Sequence, residues 1–197
     1  MHRCCDEARH FGFAGVCLAS RWLACGRERL GSASRVRLIG VVAIPFGAVP
    51  AAINRAEAEA AAAAGADELD IVPDFGALAD GNGSAVYEEI GAIVELGLPV
   101  KVILEAGRLS DPALALLVEA SIDAGAAFLK SGSGFGPPVS VAQVQHLREL
   151  ARGRVAVKAS GGITGLEQAF ELVEAGASRL GTSRGVALMQ ALRSPAT

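Results

Sequence analysis

The sequence of 197 residues has few aromatic residues and no long apolar run. Phe, Trp and Tyr make up 5% of a chain that is 51% hydrophobic, so its core has to be built mainly from Ala, Val, Leu and Ile, which suits parallel strands buried on both faces. No apolar run reaches the roughly 18 residues of a membrane span, and the first ten residues contain no apolar signal-peptide core. The net charge of −3 provides no attraction to nucleic acid or anionic membranes. These absences predict a cytoplasmic protein with no nucleic-acid or membrane partner.

The sequence also lacks the residue patterns of a metal site or a disulfide framework. All four cysteines fall within the first 25 residues, and the adjacent pair Cys4 and Cys5 has neither zinc-site nor redox spacing. The three histidines show no ligand or triad spacing. We therefore predict free thiols, no metal and no cofactor. Cys17, near a predicted strand end, is interpreted as a small buried thiol, with a position facing a binding site as the alternative.

Lysine is scarce, since only Lys101, Lys130 and Lys158 stand among the 18 basic residues. All three occur in apolar, strand-like runs: PVKVIL, AFLKSG and VAVKAS. Arginine stays protonated in proteins, whereas lysine loses its proton when it is buried or crowded by another cation. This distribution predicts that lysine takes part in chemistry; the alternative is that the side chains reach solvent from strand ends.

Short apolar runs alternate with amphipathic or Ala-rich segments along the whole chain, which predicts parallel βα units. The absence of a linker or a shift in composition predicts one domain over residues 1–197. Ala-Gly-Ala precedes three of the strands, and glycine there predicts the end of a helix. The predicted strands are 14–19, 37–44, 67–73, 99–105, 127–131, 154–159 and 178–182. The predicted helices are 4–10, 53–64, 84–96, 111–124, 140–151 and 165–175, and a further helix is predicted to begin at about Arg184.

Seven strands are one fewer than a closed (β/α)₈ barrel requires. Because the chain begins with a helix-like segment, we predict an α/β fold of TIM type, a (β/α)₈ barrel that lacks its first strand. A doubly wound open sheet is the alternative, and the lack of a GxGxxG turn after the first strand counts against it.

Lys130 and Lys158 lie at the carboxyl ends of consecutive predicted strands, which are about 4.8 Å apart in a sheet. Alternation of side chains points both into the same end of the barrel. Two ammonium groups this close repel each other and are desolvated, so the pKa of one is predicted to fall toward neutrality. A neutral amine can then attack a carbonyl. Asp70, in the middle of strand 67–73, is predicted to pair with a lysine and to carry protons during imine chemistry; a structural salt bridge is the alternative.

Glycine-rich turns after the last two strands predict a phosphate site, because glycine lets backbone N–H groups approach an anion and barrels commonly bind phosphate there. A third glycine-rich loop follows Lys130. Plain connecting loops are the alternative. These loops contain the candidates Gly134, Gly161, Gly162, Gly181 and Ser183 among their residues, together with Gly132, Gly136, Ser160 and Thr182.

Two more charged residues are predicted to point to the same side of strand 99–105. Lys101 is predicted to form a structural ion pair near the N-terminal end of the barrel. Glu105, at the carboxyl end of that strand, is in a position to touch a substrate.

Five segments of this chain resemble the deoxyribose-phosphate aldolases: GADELDIV, VKVILEAGRLSD, AFLKSGSGFG, VAVKASGGI and RLGTSRGVAL. The resemblance extends from about Asp6 to Leu192. It implies a (β/α)₈ barrel, often dimeric or tetrameric, that reversibly cleaves 2-deoxy-D-ribose 5-phosphate to acetaldehyde and D-glyceraldehyde 3-phosphate. It also implies that Lys130 is the Schiff-base lysine, that Lys158 lowers its pKa, and that Asp70 belongs to the proton relay. The five candidate phosphate residues match phosphate-contacting positions of the family.

The chain departs from the family at several motifs. The usual first strand, with Asp-His-Thr, is absent. Thr164 stands where the family has arginine, while Arg184 follows Ser183 where serine is common and is a second source of that positive charge. The missing strand, together with the loop Lys130-Ser131-Gly132-Ser133-Gly134 in place of the family's Lys-Thr-Ser-Thr-Gly, motivates an alternative to an active aldolase: a family member that has lost catalysis and binds sugar phosphates or serves as a scaffold. A further alternative is another phosphosugar barrel enzyme such as an isomerase or synthase.

Overall fold

The computed structural model describes residues 1–193, in which seven parallel strands form one sheet in chain order. Each strand pairs in parallel with the next. The strands are β1 (Gly15–Ala19), β2 (Arg37–Val42), β3 (Glu68–Ile71), β4 (Val100–Ile103), β5 (Phe128–Lys130), β6 (Ala156–Ser160) and β7 (Arg179–Gly181). The sheet is a curled half-barrel of TIM type that lacks one strand, so this prediction is confirmed. The strand order never reverses, which excludes the doubly wound alternative.

Helices follow the strands along the chain and cover the outside of the sheet. Three of them end where the sequence has Ala-Gly-Ala, with φ of 89°, 90° and 115° at Gly65, Gly125 and Gly176. The helices are α1 (His2–Phe11), α2 (Leu23–Leu30), α3 (Ala51–Ala63), α4 (Phe75–Ala79), α5 (Gly83–Val94), α6 (Asp111–Asp123), α7 (Val141–Ala151), α8 (Leu166–Glu174) and α9 (Gly185–Arg193), with a 3₁₀ turn at Ser20–Trp22. None of the helices within residues 1–193 is both long and apolar enough to cross a membrane.

Alternation along the strands separates an apolar layer from a polar one. Leu69, Val102 and Leu129 point outward and belong to the hydrophobic core between the sheet and the helices. The alternate positions point into the barrel and include Asp70 and Lys101, which are both fully buried. Charged side chains of the middle strands therefore lie together on the concave face of the sheet.

The barrel is open between β1 and β7, which are the two edges of the sheet. On the outside of this opening α1 packs near α9, and the ring of Phe13 lies close to Gly185, where a Cβ atom would be 2.9 Å from Cζ. The prediction of a buried Cys17 is wrong: this residue is exposed. Among the described residues, its strand pairs with β2 alone, so the other edge of β1 has no strand beside it.

Candidate active site

The carboxylate of Asp70 is the centre of a buried ion cluster inside the barrel. Lys130 and Lys158 both donate to its Oδ2 atom, with Nζ–Oδ2 distances of 3.0 and 2.7 Å. Lys101 donates to Oδ1 at 2.8 Å. The side chains of the four residues are at most 6% exposed. The sequence-predicted trio thus meets at a single oxygen atom, and a third lysine occupies the other one.

The register of the strands explains this convergence. Lys130 lies opposite Lys158 in the β5–β6 pair, and Asp70 lies opposite Lys101 in the β3–β4 pair. Directly opposed residues on paired strands point to the same side of the sheet, so all four project into the barrel. The curvature of the sheet then carries Asp70 across to the two lysines.

A second layer of charge lies below the cluster, toward the N-terminal ends of the strands. Glu68 accepts hydrogen bonds at Oε2 from Lys101 and from Arg179, each at 2.6 Å. The guanidinium of Arg179 also lies 4.8 Å from the ring centroid of Phe128. The predicted ion pair of Lys101 is confirmed, and Lys101 joins Glu68 to Asp70. Sequence analysis missed Arg179, although it opens a strand whose glycine turn had been noted.

The electrostatics of the cluster lower the pKa of Asp70 and that of Lys158. Burial raises the pKa of Asp70, but the three surrounding lysines outweigh it and hold that pKa well below its usual range. Burial lowers the pKa of Lys158, and burial together with the charge of Lys130 outweighs the opposing effect of Asp70. The lowered pKa of Lys158 is in the direction that the sequence predicts for one of the two lysines.

Two of the predicted phosphate loops meet just beyond the lysines. A Cβ atom on Gly161 would lie 3.9 Å from Cα of Gly134, so the loops after β5 and β6 are in contact. Both glycines have positive φ, 106° and 97°, which other residues rarely adopt. Gly162 also has positive φ and packs so closely on Pro138 that a Cβ atom there would come within 2.6 Å of it. These positions require glycine for the close approach of the two loops.

Gly181, in β7, also makes room for the second lysine. A Cβ atom there would lie 2.9 Å from Cβ of Ser160 and 3.1 Å from Cε of Lys158. This steric requirement comes in addition to the predicted phosphate contact, which the geometry does not test.

The loop after β7 is tied to the loop after β6 by a threonine. The hydroxyl of Thr182 donates to the carbonyl of Ile163 at 2.7 Å and accepts from the N–H of Arg184 at 2.8 Å. Ser183 and Arg184 are exposed just before α9 begins at Gly185. The predicted residues Gly134, Gly161, Gly162 and Ser183 thus lie on loops, and Gly181 ends β7, all at the same end of the sheet as Lys130.

Two serines join the ends of β5 and β6 immediately beyond the lysines. Ser131 donates to the carbonyl of Ser160 and accepts from its N–H, both at 2.9 Å. Ser160 donates in turn to the carbonyl of Gly132 at 2.5 Å. These bonds fix the spacing of the strand ends that carry Lys130 and Lys158.

Two further candidate residues lie beside the cluster. Cys17 faces Asp70 with an Sγ–Oδ2 distance of 3.9 Å, which is the position left open as the alternative for this thiol. Glu105 lies beyond the last paired residue of β4, and its carboxylate accepts from the N–H of Ser133 at 2.6 Å. Within residues 1–193, the His, Cys, Asp and Glu side chains form no group arranged to hold a metal ion.

Comparison with known proteins places this site in a family. No family model matches the chain. It is 44% identical over 191 residues to the deoxyribose-phosphate aldolase of Thermosynechococcus vestitus, covering 96% of this chain and 88% of that protein. A tetrameric deoxyribose-phosphate aldolase structure from Aeropyrum pernix is 35% identical with a TM-score of 0.88, covering 99% of this chain and 84% of that one. The structure of an aldolase called QR15 gives a TM-score of 0.92 at 32% identity, covering 97% and 86%. The chain therefore belongs to the deoxyribose-phosphate aldolase family and is an aldolase, an enzyme of the carbon–carbon lyase class.

Proposed function

We propose that the protein reversibly cleaves 2-deoxy-D-ribose 5-phosphate to acetaldehyde and D-glyceraldehyde 3-phosphate through a Schiff base on Lys130. The observation that carries this proposal is the sharing of one oxygen of Asp70 by the amines of Lys130 and Lys158. The names of the relatives support the substrate, and the buried amine pair supports imine chemistry.

Because the pKa of Lys158 is lowered, we assign this residue as the proton acceptor. A neutral Lys158 takes a proton from Lys130 across the Oδ2 atom that both contact. The neutral amine of Lys130 then attacks the C1 aldehyde of the open-chain sugar. The resulting carbinolamine receives a proton at oxygen from the Lys158–Asp70 pair and loses water to form the iminium ion.

The same groups serve the bond-breaking step. A base removes the proton of the C3 hydroxyl, the C2–C3 bond breaks, and its electron pair moves into the iminium to form an enamine. The three-carbon product leaves as glyceraldehyde 3-phosphate. Protonation of the enamine at C2 and addition of water to the iminium release acetaldehyde and return Lys130 to its amine form.

The glycine-rich loops are proposed to hold the phosphate of the substrate above this amine. Gly134, Gly161 and Gly162 lie on two loops that are in contact. All three have positive φ, a backbone conformation that glycine adopts more easily than other residues. The loop with Gly181 and Ser183 leads into α9, whose N-terminal dipole favours an anion. Arg184 is exposed next to these positions and adds a positive charge.

Turnover of 2-deoxyribose 5-phosphate, followed with a dehydrogenase that reduces the released acetaldehyde, tests the proposal. We expect product formation that depends on Lys130 and is much weaker for unphosphorylated 2-deoxyribose. A folded protein that yields no acetaldehyde from either sugar would contradict the proposal. Inhibition by deoxyribose phosphate without its cleavage would instead indicate another phosphosugar enzyme.

A binding protein of the same family is the second candidate function, and the opening between β1 and β7 favours it. Open sheet edges can pair with another chain, and Cys17 on the β1 edge is exposed. In that case the sugar phosphate would raise the melting temperature of the protein without being cleaved.

We also propose that the protein self-associates, since one relative is described as tetrameric. Large apolar side chains such as Ile53 and Phe170 are more than half exposed and are available for such contacts. Sedimentation equilibrium would measure the state directly, and a monomer at assay concentration would contradict this part of the proposal.

A further inference from the structure

Glu105 has an unusual backbone conformation for its residue type. Only three non-glycine residues within 1–193 have positive φ, and Glu105 is one of them, at 48°. This conformation costs an ordinary residue on the order of 1–3 kcal/mol, and glycine would adopt it more easily. A glutamate that is 8% exposed in such a position indicates that its side chain is needed there.

The carboxylate of Glu105 lies inside the loop that follows the proposed Schiff-base lysine. We call residues 131–137 the lysine loop. Oε1 accepts from the N–H of Ser133 at 2.6 Å. Oε2 lies so near Gly136 that a Cβ atom there would be 2.2 Å away, and one on Gly132 would be 3.7 Å away. Three residues of the loop thus surround one carboxylate, and two of them are glycines that let it come close.

The backbone on either side of Glu105 holds the start of the same loop. The N–H of Leu104 donates to the carbonyl of Lys130 at 2.8 Å, and the N–H of Ala106 donates to the carbonyl of Ser131 at 2.9 Å. The left-handed turn between them aims the Glu105 side chain over the lysine loop. Arg108 adds a longer contact, from Nη2 to the carbonyl of Phe135 at 3.4 Å.

The lysine loop connects this carboxylate to the phosphate site. Gly134 directly follows Ser133, whose N–H is bound by Glu105, and together with Pro137 of the same loop it lies next to Gly161 of the following loop. A hydrogen bond to an ionised carboxylate is about twice as strong as a neutral one. Releasing Ser133 would therefore free Gly134 from its place against Gly161.

We propose that Glu105 is a positioning residue that sets the shape of the lysine loop and, through it, the affinity for the phosphate group of the substrate. The proposal rests on the proposed function, because it assigns the loop to phosphate binding. Glu105 acts through the N–H of Ser133, three residues after Lys130 in the chain, and makes no contact with the amine itself.

Substitution of Glu105 by Ala, Gln and Asp tests this role. Glu105→Ala should raise KM for deoxyribose 5-phosphate about tenfold, the scale of one hydrogen bond to a charged group. kcat should change less, and KM for unphosphorylated deoxyribose should stay the same. Glu105→Gln keeps an oxygen that can accept from Ser133 and should restore most of the affinity. Glu105→Asp is one methylene too short and should resemble Ala. Glu119→Ala removes an exposed carboxylate on α6 and is the matched control with no expected effect.

Several outcomes would overturn the proposal. Equal losses for the phosphorylated and unphosphorylated sugars, a loss confined to kcat, or a Gln variant as weak as Ala would each do so. Borohydride trapping of acetaldehyde on Lys130 in each variant shows whether the amine still works. If the wild-type protein has no turnover, the proposed function fails, and Kd for inorganic phosphate then tests the positioning role independently: it should be weaker in Glu105→Ala than in wild type and close to wild type in Glu105→Gln. Equal phosphate affinity in wild type, Ala and Gln variants would then refute it.

Discussion

The middle strands and the two edge strands of the sheet differ in how completely they enclose their polar groups. All residues of β3 and β4 are buried, and their charges are paired within the barrel. All residues of β7 are only partly buried, and Cys17 of β1 is exposed. Burial shifts the pKa of Lys158 and strengthens its attraction to Asp70, which water would otherwise screen. The lysines of the cluster therefore lie on enclosed strands, and the proposed chemistry belongs to these strands and not to the open side.

The largest expected effect of a single change is at the centre of the enclosed region. Asp70→Asn leaves the buried lysines without their carboxylate, and removing one partner of a buried ion pair costs about 3–5 kcal/mol. Urea unfolding should show this loss in the free energy of unfolding, while Asp123→Asn, an exposed residue of α6, should change it by less than about 0.5 kcal/mol. A loss below about 1 kcal/mol for Asp70→Asn would mean that the cluster is not enclosed as described.

The same residue makes a prediction for the pH dependence of stability. Because the pKa of Asp70 is lower in the folded protein than its usual value of 3.8, its contribution is fully present above that value and is lost as the pH falls below it. The acid loss of stability should be smaller in Asp70→Asn than in wild type. Equal slopes in the two proteins below pH 4 would contradict the lowered pKa.

The next largest effect is expected at the second lysine. Lys158→Met removes the group that accepts a proton from Lys130, and kcat should fall by about 10²-fold, within the range of general-base catalysis. In wild type, kcat should rise as Lys158 loses its proton. Because the pKa of Lys158 is lowered, this rise should begin at a lower pH than it would with an ordinary lysine. Lys130 in the variant has no neighbouring amine to take its proton, so the rising limb of the kcat profile should move to higher pH. An unchanged profile would exclude Lys158 as the acceptor.

A smaller effect is expected where the open edge touches the enclosed region. Gly181→Ala places a methyl group 3.1 Å from Cε of Lys158 and 2.9 Å from Cβ of Ser160, so the amine has to shift. We expect kcat to fall about tenfold, the effect of a small misplacement in a catalytic group. Gly91→Ala on α5 meets no atom within 4 Å and is the matched control. Equal behaviour of the two variants would show that Gly181 does not set the place of Lys158.

The smallest effect is expected at the open side itself. Cys17→Ser changes an exposed thiol whose contact with Asp70 is long, at 3.9 Å. Activity should stay within about threefold of wild type and stability within about 0.5 kcal/mol, as for most surface changes. A large loss of activity with stability unchanged would show that Cys17, on the open side of the barrel, takes part in the reaction.

Much of the fold could be predicted because strands buried on both faces leave a plain signal in the sequence. All seven predicted strands overlap observed ones, and parity correctly placed Asp70, Lys130 and Lys158 on the concave face. Strand ends were less predictable. The apolar run 99–105 continues beyond the last paired residue of β4, and the backbone turns left-handed at Glu105. Composition does not reveal such a turn, because glutamate is not a residue that favours it.

The other features of the site depend on the register of paired strands and on which strands lie at the edge of the sheet. The local sequence pattern of a single strand predicts neither of these. Lys101 reaches Asp70 because β4 pairs with β3 in one register, and a shift of one residue would have turned it outward. Cys17 is exposed because the sheet has an edge there. α2 and α4 were missed because they have only 8 and 5 residues, too few for a clear helical period.

Trapping of the imine tests the central claim most directly. The protein is incubated with acetaldehyde and borohydride, and the modified peptide is located by mass spectrometry, with Lys130→Met as the control. The account predicts one ethyl group on Lys130 of the wild-type protein and none in the region of Lys158. Modification of Lys158 instead, or an unmodified protein under conditions that label another Schiff-base aldolase, would contradict it.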